Sequence, residues 1–193
     1  MGECFELTLF AKQPEDSMPI KKHMLSLLDV DEGKNQLREH RFPLLANKDV
    51  FFEVYPEFDF VEYCVAITEL YFTKKNFDAK MGQILEVVAT CFDNIHQMMF
   101  ATGVYELTYD YIKSVKRASD FNKQVLSKFP LLFFREGNEY GFTSTRKHDN
   151  ISYIVQSGVN IQVVFANPYR ELMEDYGMSF EEAANLIGQL QDK

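Results

Sequence analysis

From Phe5 to Ala11 the chain alternates apolar and polar positions, with Phe5, Leu7 and Leu9 set against Glu6 and Thr8. That two-residue period predicts a half-buried strand. Ser17 then stands where a helix cap belongs, Pro19 falls in the first turn, and Ile20, Met24, Leu27 and Leu28 follow at helical spacing until Gly33 breaks the run. Residues 29 to 48 are charged and weakly patterned and read as a connection. Beyond them Val50, Phe52, Val54, Phe58 and Phe60 occupy even positions, while Glu53, Tyr55, Glu57 and Asp59 occupy odd ones. This is again a strand pattern, interrupted by Pro56. A proline has no N–H for a ladder, so the strand bends there, lies at an edge, or is two strands. Residues 63 to 73 form the next expected strand, central because its apolar residues sit on both parities.

Met81, Leu85, Val88, Phe92, Ile95 and Met99 recur at three and four residues and predict a long amphipathic helix from Asp78 to about Ala101, ended by Gly103. Period two returns from Val104, with Tyr105, Leu107, Tyr109 and Tyr111 opposite Glu106, Thr108 and Asp110. The order is strand, helix, strand, strand, helix, strand. It points to an α+β fold: a ferredoxin-like βαββαβ sandwich over residues 1–112, with both helices on one face of four antiparallel strands. Residues 113–193 are expected as an α+β extension packed on it in one compact unit. They hold a helix near 119–129, a hairpin from LLFFRE through Gly137 and Asn138 to EYGFTSTRK, and a strand pair, NISYIVQ and IQVVFAN, across SGVN. A final helix is opened by a capping box from Ser179 to Glu182. A separate sheet for this extension is one option.

A length of 193 residues suits one domain, and 46% apolar residues with 15% aromatics are ample for a core. Cys4, Cys64 and Cys91 lie far apart and are odd in number, which speaks for a reducing compartment and against a disulfide framework or structural zinc site. No stretch reads as a signal peptide or membrane span, so a cytoplasmic location is expected.

The net charge of -9 is segregated. Residues 49–110 carry eleven acids against three bases, and residues 111–148 carry eight bases against three acids. If even positions of 50–60 face the helices, the opposite face presents Glu53, Tyr55, Glu57 and Asp59, joined by Glu6, Thr8, Glu106, Thr108 and Asp110. One reading is an ordinary solvated sheet face. The other is a docking surface in which Glu53, Tyr55, Glu57, Asp59, Glu106 and Asp110 engage a basic protein, since carboxylates steer encounter and tyrosine supplies contact area.

Catalytic and cofactor motifs are missing. His23, His40, His96 and His148 form no metal-binding spacing, with His96 expected on the polar flank of the long helix near Asp93, and no nucleophile elbow or phosphate loop occurs. No cofactor or metal is expected. Arg146, Lys147 and His148, in TSTRKHDN, are the candidate anion contacts, against the simpler reading of a polar hairpin end. The acidic whole argues against direct nucleic-acid binding, because affinity there comes largely from neutralising phosphates. The pattern as a whole suggests a non-enzymatic protein-binding module that inhibits a basic partner, of the immunity-protein, antitoxin or phage-inhibitor kind, with a nuclease or toxin as the target. The alternative is a small-molecule-binding or hydrolytic domain whose pocket lies between the sandwich and the extension and uses tyrosine, Arg135, Arg146 and His148.

Overall fold

The computed structural model describes residues 4–13, 18–27, 48–53, 58–68, 77–105, 115–129, 131–140, 142, 150–154, 160–165, 177–179 and 182–183. In chain order these form β1 (Cys4–Lys12), α1 (Met18–Leu27), β2 (Lys48–Glu53), β3 (Phe60–Thr68), α2 (Phe77–Asn94) and β4 (Met98–Tyr105). A 3-10 turn (Ala118–Asp120), α3 (Lys123–Leu126), β5 (Leu131–Arg135), β6 (Asn150–Ile154) and β7 (Asn160–Phe165) follow. The fold is mixed α+β. Its strands build one seven-stranded sheet in the order β2-β3-β1-β4-β5-β7-β6, with every neighbouring pair antiparallel. Among the described residues no helix is long and apolar enough to cross a membrane.

β1 lies inside the sheet and is paired on both sides, and its alternation separates two cores. Phe5, Leu7, Leu9 and Ala11, all fully buried, join Met24 of α1 and Met81, Leu85, Val88 and Phe92 of α2 in one cluster, together with Val61, Tyr63 and Val65 of β3. The odd positions of β1 therefore meet the helical layer, as their period requires. Phe10, of the opposite parity, belongs to a second cluster with Phe60, Phe100, Phe121, Leu126, Phe129 and Phe134. There Phe10 stacks on Phe100 at 4.7 Å between ring centroids, and Phe121 meets Phe100 edge-on at 4.9 Å, geometries that favour aromatic pairs. β5 explains its unbroken apolar run by serving both cores: Leu131 and Phe133 lie in the first, Leu132 and Phe134 in the second.

Several expectations are corrected. α2 stops at Asn94 and does not run on to Ala101. The chain turns through Ile95 to Gln97, with the Met98 amide donating to the Ile95 carbonyl at 3.1 Å, and residues 98–105 enter the sheet. Met98, Met99 and Phe100 fit a helical spacing, but the open edge of β1 claims them for a strand. His96 consequently sits in this turn, exposed, and not on a helix flank. Register explains why the strand was hard to see: Phe100 pairs with Phe10 but Met98 pairs with Ala11, so Met99 is an extra residue in a bulge. A bulge breaks the period of two, and here it turns Met99 and Phe100 both toward the second core. Of the strand expected from Val104, residues 104 and 105 close β4, and the rest lies outside the described residues.

Gly103, expected as a helix stop, is instead an interior strand residue opposite Leu7 and Leu131. A Cβ there would stand 2.6 Å from Cζ of Phe5 and 3.0 Å from Cδ2 of Leu131. Glycine is what lets the Phe5 ring cross β4.

The stretch from Val50 to Tyr63 is two strands. β2 ends at Glu53, opposite Glu62, and β3 begins at Phe60. Phe60 joins the second core while Val61, Tyr63 and Val65 join the helix-facing one, and residues 54–57 lie outside the described residues. β5 pairs with β4 and β7, and residues 141 and 143–147 of the expected hairpin lie outside the described residues. The three described strands of residues 113–193 extend the one sheet. The pair β6 and β7 forms as expected, and so does the capping box: the Ser179 amide donates to Glu182 Oε2 at 2.7 Å, and the Glu182 amide donates to Ser179 Oγ at 3.2 Å.

Candidate functional site

The end of β1 opens onto a cleft whose walls come from distant parts of the chain. Lys12 and Gln13 leave the strand there. The Lys12 amide donates to the Gln97 carbonyl and the Gln13 amide to the Asp59 carbonyl, both at 2.9 Å, so three chain crossings are tied together at this corner. The bulge in β4 contributes Met99. The opposite wall is the segment 118–123, held by two devices. Asp59, in the bend before β3, accepts a hydrogen bond from the Ala118 amide through Oδ1. Asn122 caps α3, its Oδ1 accepting from the amides of Gln124 at 3.0 Å and Val125 at 3.1 Å, which is the usual reason for asparagine at a helix start.

The third wall is the turn after β5. Gly137 adopts φ 76°, a left-handed conformation that costs glycine little. Asn138 follows it, accepting from the Tyr140 amide at 3.1 Å and donating to Gln162 Oε1 on β7 at 2.7 Å. Tyr140 is thereby fixed with its ring 5.5 Å from both Phe100 and Phe134. The cleft so formed has a volume of about 690 Å³, with Met99, Phe121 and Tyr140 as its apolar surfaces and Lys12, Gln13, Asp59, Asn122, Lys123 and Glu139 as its polar ones. A smaller cleft of about 340 Å³ adjoins it and shares Lys12, Met99, Glu139 and Tyr140, adding His96, Arg135 and Glu136.

The charges differ in how far they are engaged. Lys123 Nζ lies 5.6 Å from the centre of the Phe142 ring, within reach of a cation–π attraction. Glu136 accepts from Asn160 Nδ2 at 2.5 Å. Burial, and then the neighbouring Glu139 carboxylate, push the Tyr140 hydroxyl up to about 12, so it stays protonated at neutral pH. Gln13 Oε1 is buried and accepts no hydrogen bond among the described residues.

Arg135, expected in a ligand pocket, lines the smaller cleft and also has a structural job. One guanidinium nitrogen, Nη2, donates to the carbonyls of Phe92 and Ile95, and the group lies 5.5 Å from the centre of the Phe92 ring. It closes the C-terminus of α2, where unpaired carbonyls and the negative end of the helix dipole favour a cation.

Of the six residues expected to engage a partner, Asp59 is the one whose side chain is described, and it is spent on holding the 118–123 wall. Glu53 ends β2, and its backbone alone is described. Tyr55, Glu57, Glu106, Thr108 and Asp110 lie outside the described residues, as do Arg146, Lys147 and His148. Glu6 and Thr8 are half-buried. Near Phe10 the face they share is not open, because Phe121, Leu126 and Phe129 cover it. Among the described residues no cluster of three or more His, Cys, Asp or Glu could hold a metal. Burial pushes the Cys91 thiol up to about 12, which leaves it neutral and inert in the first core.

Sequence reasoning missed Lys12, Gln13, Met99, Asn122, Lys123 and Tyr140 as a set. Asn122 before KQVL was a readable helix cap and Gly137-Asn138 a readable turn, but nothing local joins them to the end of β1. No protein-family model, no curated protein and no solved structure matches this chain, so the site is argued from its geometry.

Proposed function

We propose that this is a non-enzymatic binding protein whose ligand occupies the cleft at the end of β1. The observation that carries the reading is the cleft of about 690 Å³ lined jointly by the ends of β1, β3 and β4 and by residues 118–123 and 139–140, with apolar surfaces and a polar rim. Its size falls in the usual range for ligand sites, roughly 300–1,000 Å³, and such sites combine an apolar lining with a few placed polar groups. The tyrosine of the lining, pushed up to about 12, stays protonated near neutrality and offers a hydroxyl for hydrogen bonding to a ligand. The order β2-β3-β1-β4, together with the one cluster shared by α1 and α2, supports a ferredoxin-like unit extended by β5, β7 and β6. A cytoplasmic location belongs to the same proposal.

Thermal-shift measurements against fractionated small metabolites test the reading. A ligand present at about 100 times its Kd raises native stability by about 2.7 kcal/mol. Met99→Trp, which fills the cleft, should abolish that shift while leaving the unliganded melting temperature within a few degrees. Absence of any shift that Met99→Trp removes would count against the cleft.

A second reading draws on the eleven acids against three bases of residues 49–110. In it Glu53, Tyr55, Glu57, Glu106 and Asp110 dock a basic protein such as a nuclease or toxin. Asp59 is left out of the test set because it holds Ala118. Reversing Glu53, Glu57 and Glu106 to Lys should abolish capture of such a partner and leave the urea midpoint unchanged; capture that survives the reversal removes this reading.

A further inference from the structure

The two adjoining clefts differ in the groups they leave unspent. At the larger one, Gln13 Oε1 is a buried acceptor with no donor among the described residues, and Asp59 gives Oδ1 to Ala118, leaving Oδ2 unused. Lys123, which lines the larger cleft and not the smaller, is drawn over the Phe142 ring. At the smaller one the position is reversed. Glu136 is engaged by Asn160, while Arg135 uses Nη2 for the end of α2 and leaves its other nitrogens, with Lys12 and His96 beside it. A buried polar atom without a partner destabilises the free protein, so a ligand that satisfies it gains selectively.

Met99 and Tyr140, the apolar surfaces shared by both clefts, join them, and Lys12 and Glu139 line both. The groove therefore offers acceptors at one end, cations at the other and an apolar middle. That is the chemistry of a short peptide with both termini free: an ammonium among Gln13, Asp59 and Glu139, a carboxylate at Lys12 and Arg135, and an apolar side chain against Met99 and Tyr140. Capture of free termini is an established mode of peptide recognition. We infer that the groove binds a short zwitterionic peptide through both of its termini, an inference that rests on the cleft being the binding site.

The test is isothermal titration calorimetry at low ionic strength with the tripeptide Ala-Phe-Ala in four forms: free, N-acetylated, C-amidated and doubly blocked. The free form should bind, and blocking either end should weaken binding at least tenfold. Lys12→Gln, at an exposed position, should erase the difference between free and C-amidated peptide, and Glu139→Gln should shrink the effect of N-acetylation. Equal binding of the doubly blocked form would overturn terminus recognition yet leave the cleft as a binding site. So would failure of all four forms while a non-peptide metabolite gives a shift that Met99→Trp removes. Failure of every probe, metabolites included, would overturn both the peptide and the cleft.

Discussion

Gly103 shows how much one missing atom can decide. It lies in the middle of β4, where a larger residue normally strengthens a strand, yet a Cβ would stand 2.6 Å from the Phe5 ring and 3.0 Å from Leu131. Phe5 is fully buried and Leu131 lies in the same core, so neither has room to retreat. Overpacking of this kind typically costs about 1–3 kcal/mol. Gly103→Ala is accordingly expected to lower the unfolding free energy by that amount, read as a lower urea midpoint, in spite of alanine's better backbone entropy, and an unchanged or raised midpoint would show that Phe5 can move aside. Asp59 is the complementary case, a residue whose charge suggested a partner and whose carboxylate is occupied by a backbone amide of its own chain.

Among the elements, α2 depends on its neighbour for its end. It has no basic residue in its last turn, and the role is filled across the sheet by Arg135 of β5, which bonds the carbonyls of Phe92 and Ile95. Arg135→Met keeps an apolar stem over the Phe92 ring but strips the carbonyls of their donor. Leaving a part-buried acceptor unpaired predicts a loss of about 1–3 kcal/mol in chemical denaturation, with Arg135→Lys recovering part of it through charge alone. A midpoint that Arg135→Met leaves unmoved would mean that water replaces the guanidinium without penalty.

At the scale of the whole molecule, the two cores bury several groups whose ionisation opposes folding. Cys91 is pushed up to about 12 by burial, Tyr140 to about 12 by burial and Glu139, and Tyr63 upward by burial and then by Cys91. In the unfolded chain these groups release their protons near their ordinary values, about 9 for the thiol and 10 for the phenols, while the folded chain holds them longer. The unfolded state then binds fewer protons, so stability is fully present below about pH 9 and falls as pH rises toward 12. A series of urea midpoints should be flat at neutral pH and decline through this alkaline window. Tyr140→Phe should flatten the upper part of the decline, and a flat wild-type profile would contradict the assigned burial.

What the sequence determined by itself was whatever short-range order encodes: the alternation of β1, the helical face of α2 through Phe92, the β6 and β7 strand pair, and the Ser179–Glu182 capping box. Each needs a handful of neighbouring residues and a single period, and a polar or apolar identity at each position is enough to read it. The tertiary structure decided where two local readings were equally good or where no local reading exists. Met98 to Phe100 satisfy both helix and strand spacing, and only the free edge of β1 settles it. The apolar run of β5 names no partner, because a strand buried on both faces carries no alternation to orient it. The second face looked open because the residues that cover it, Phe121, Leu126 and Phe129, lie more than a hundred positions from Phe10 in the chain. The cleft follows from that covering layer, as a product of long-range contacts that no periodicity records.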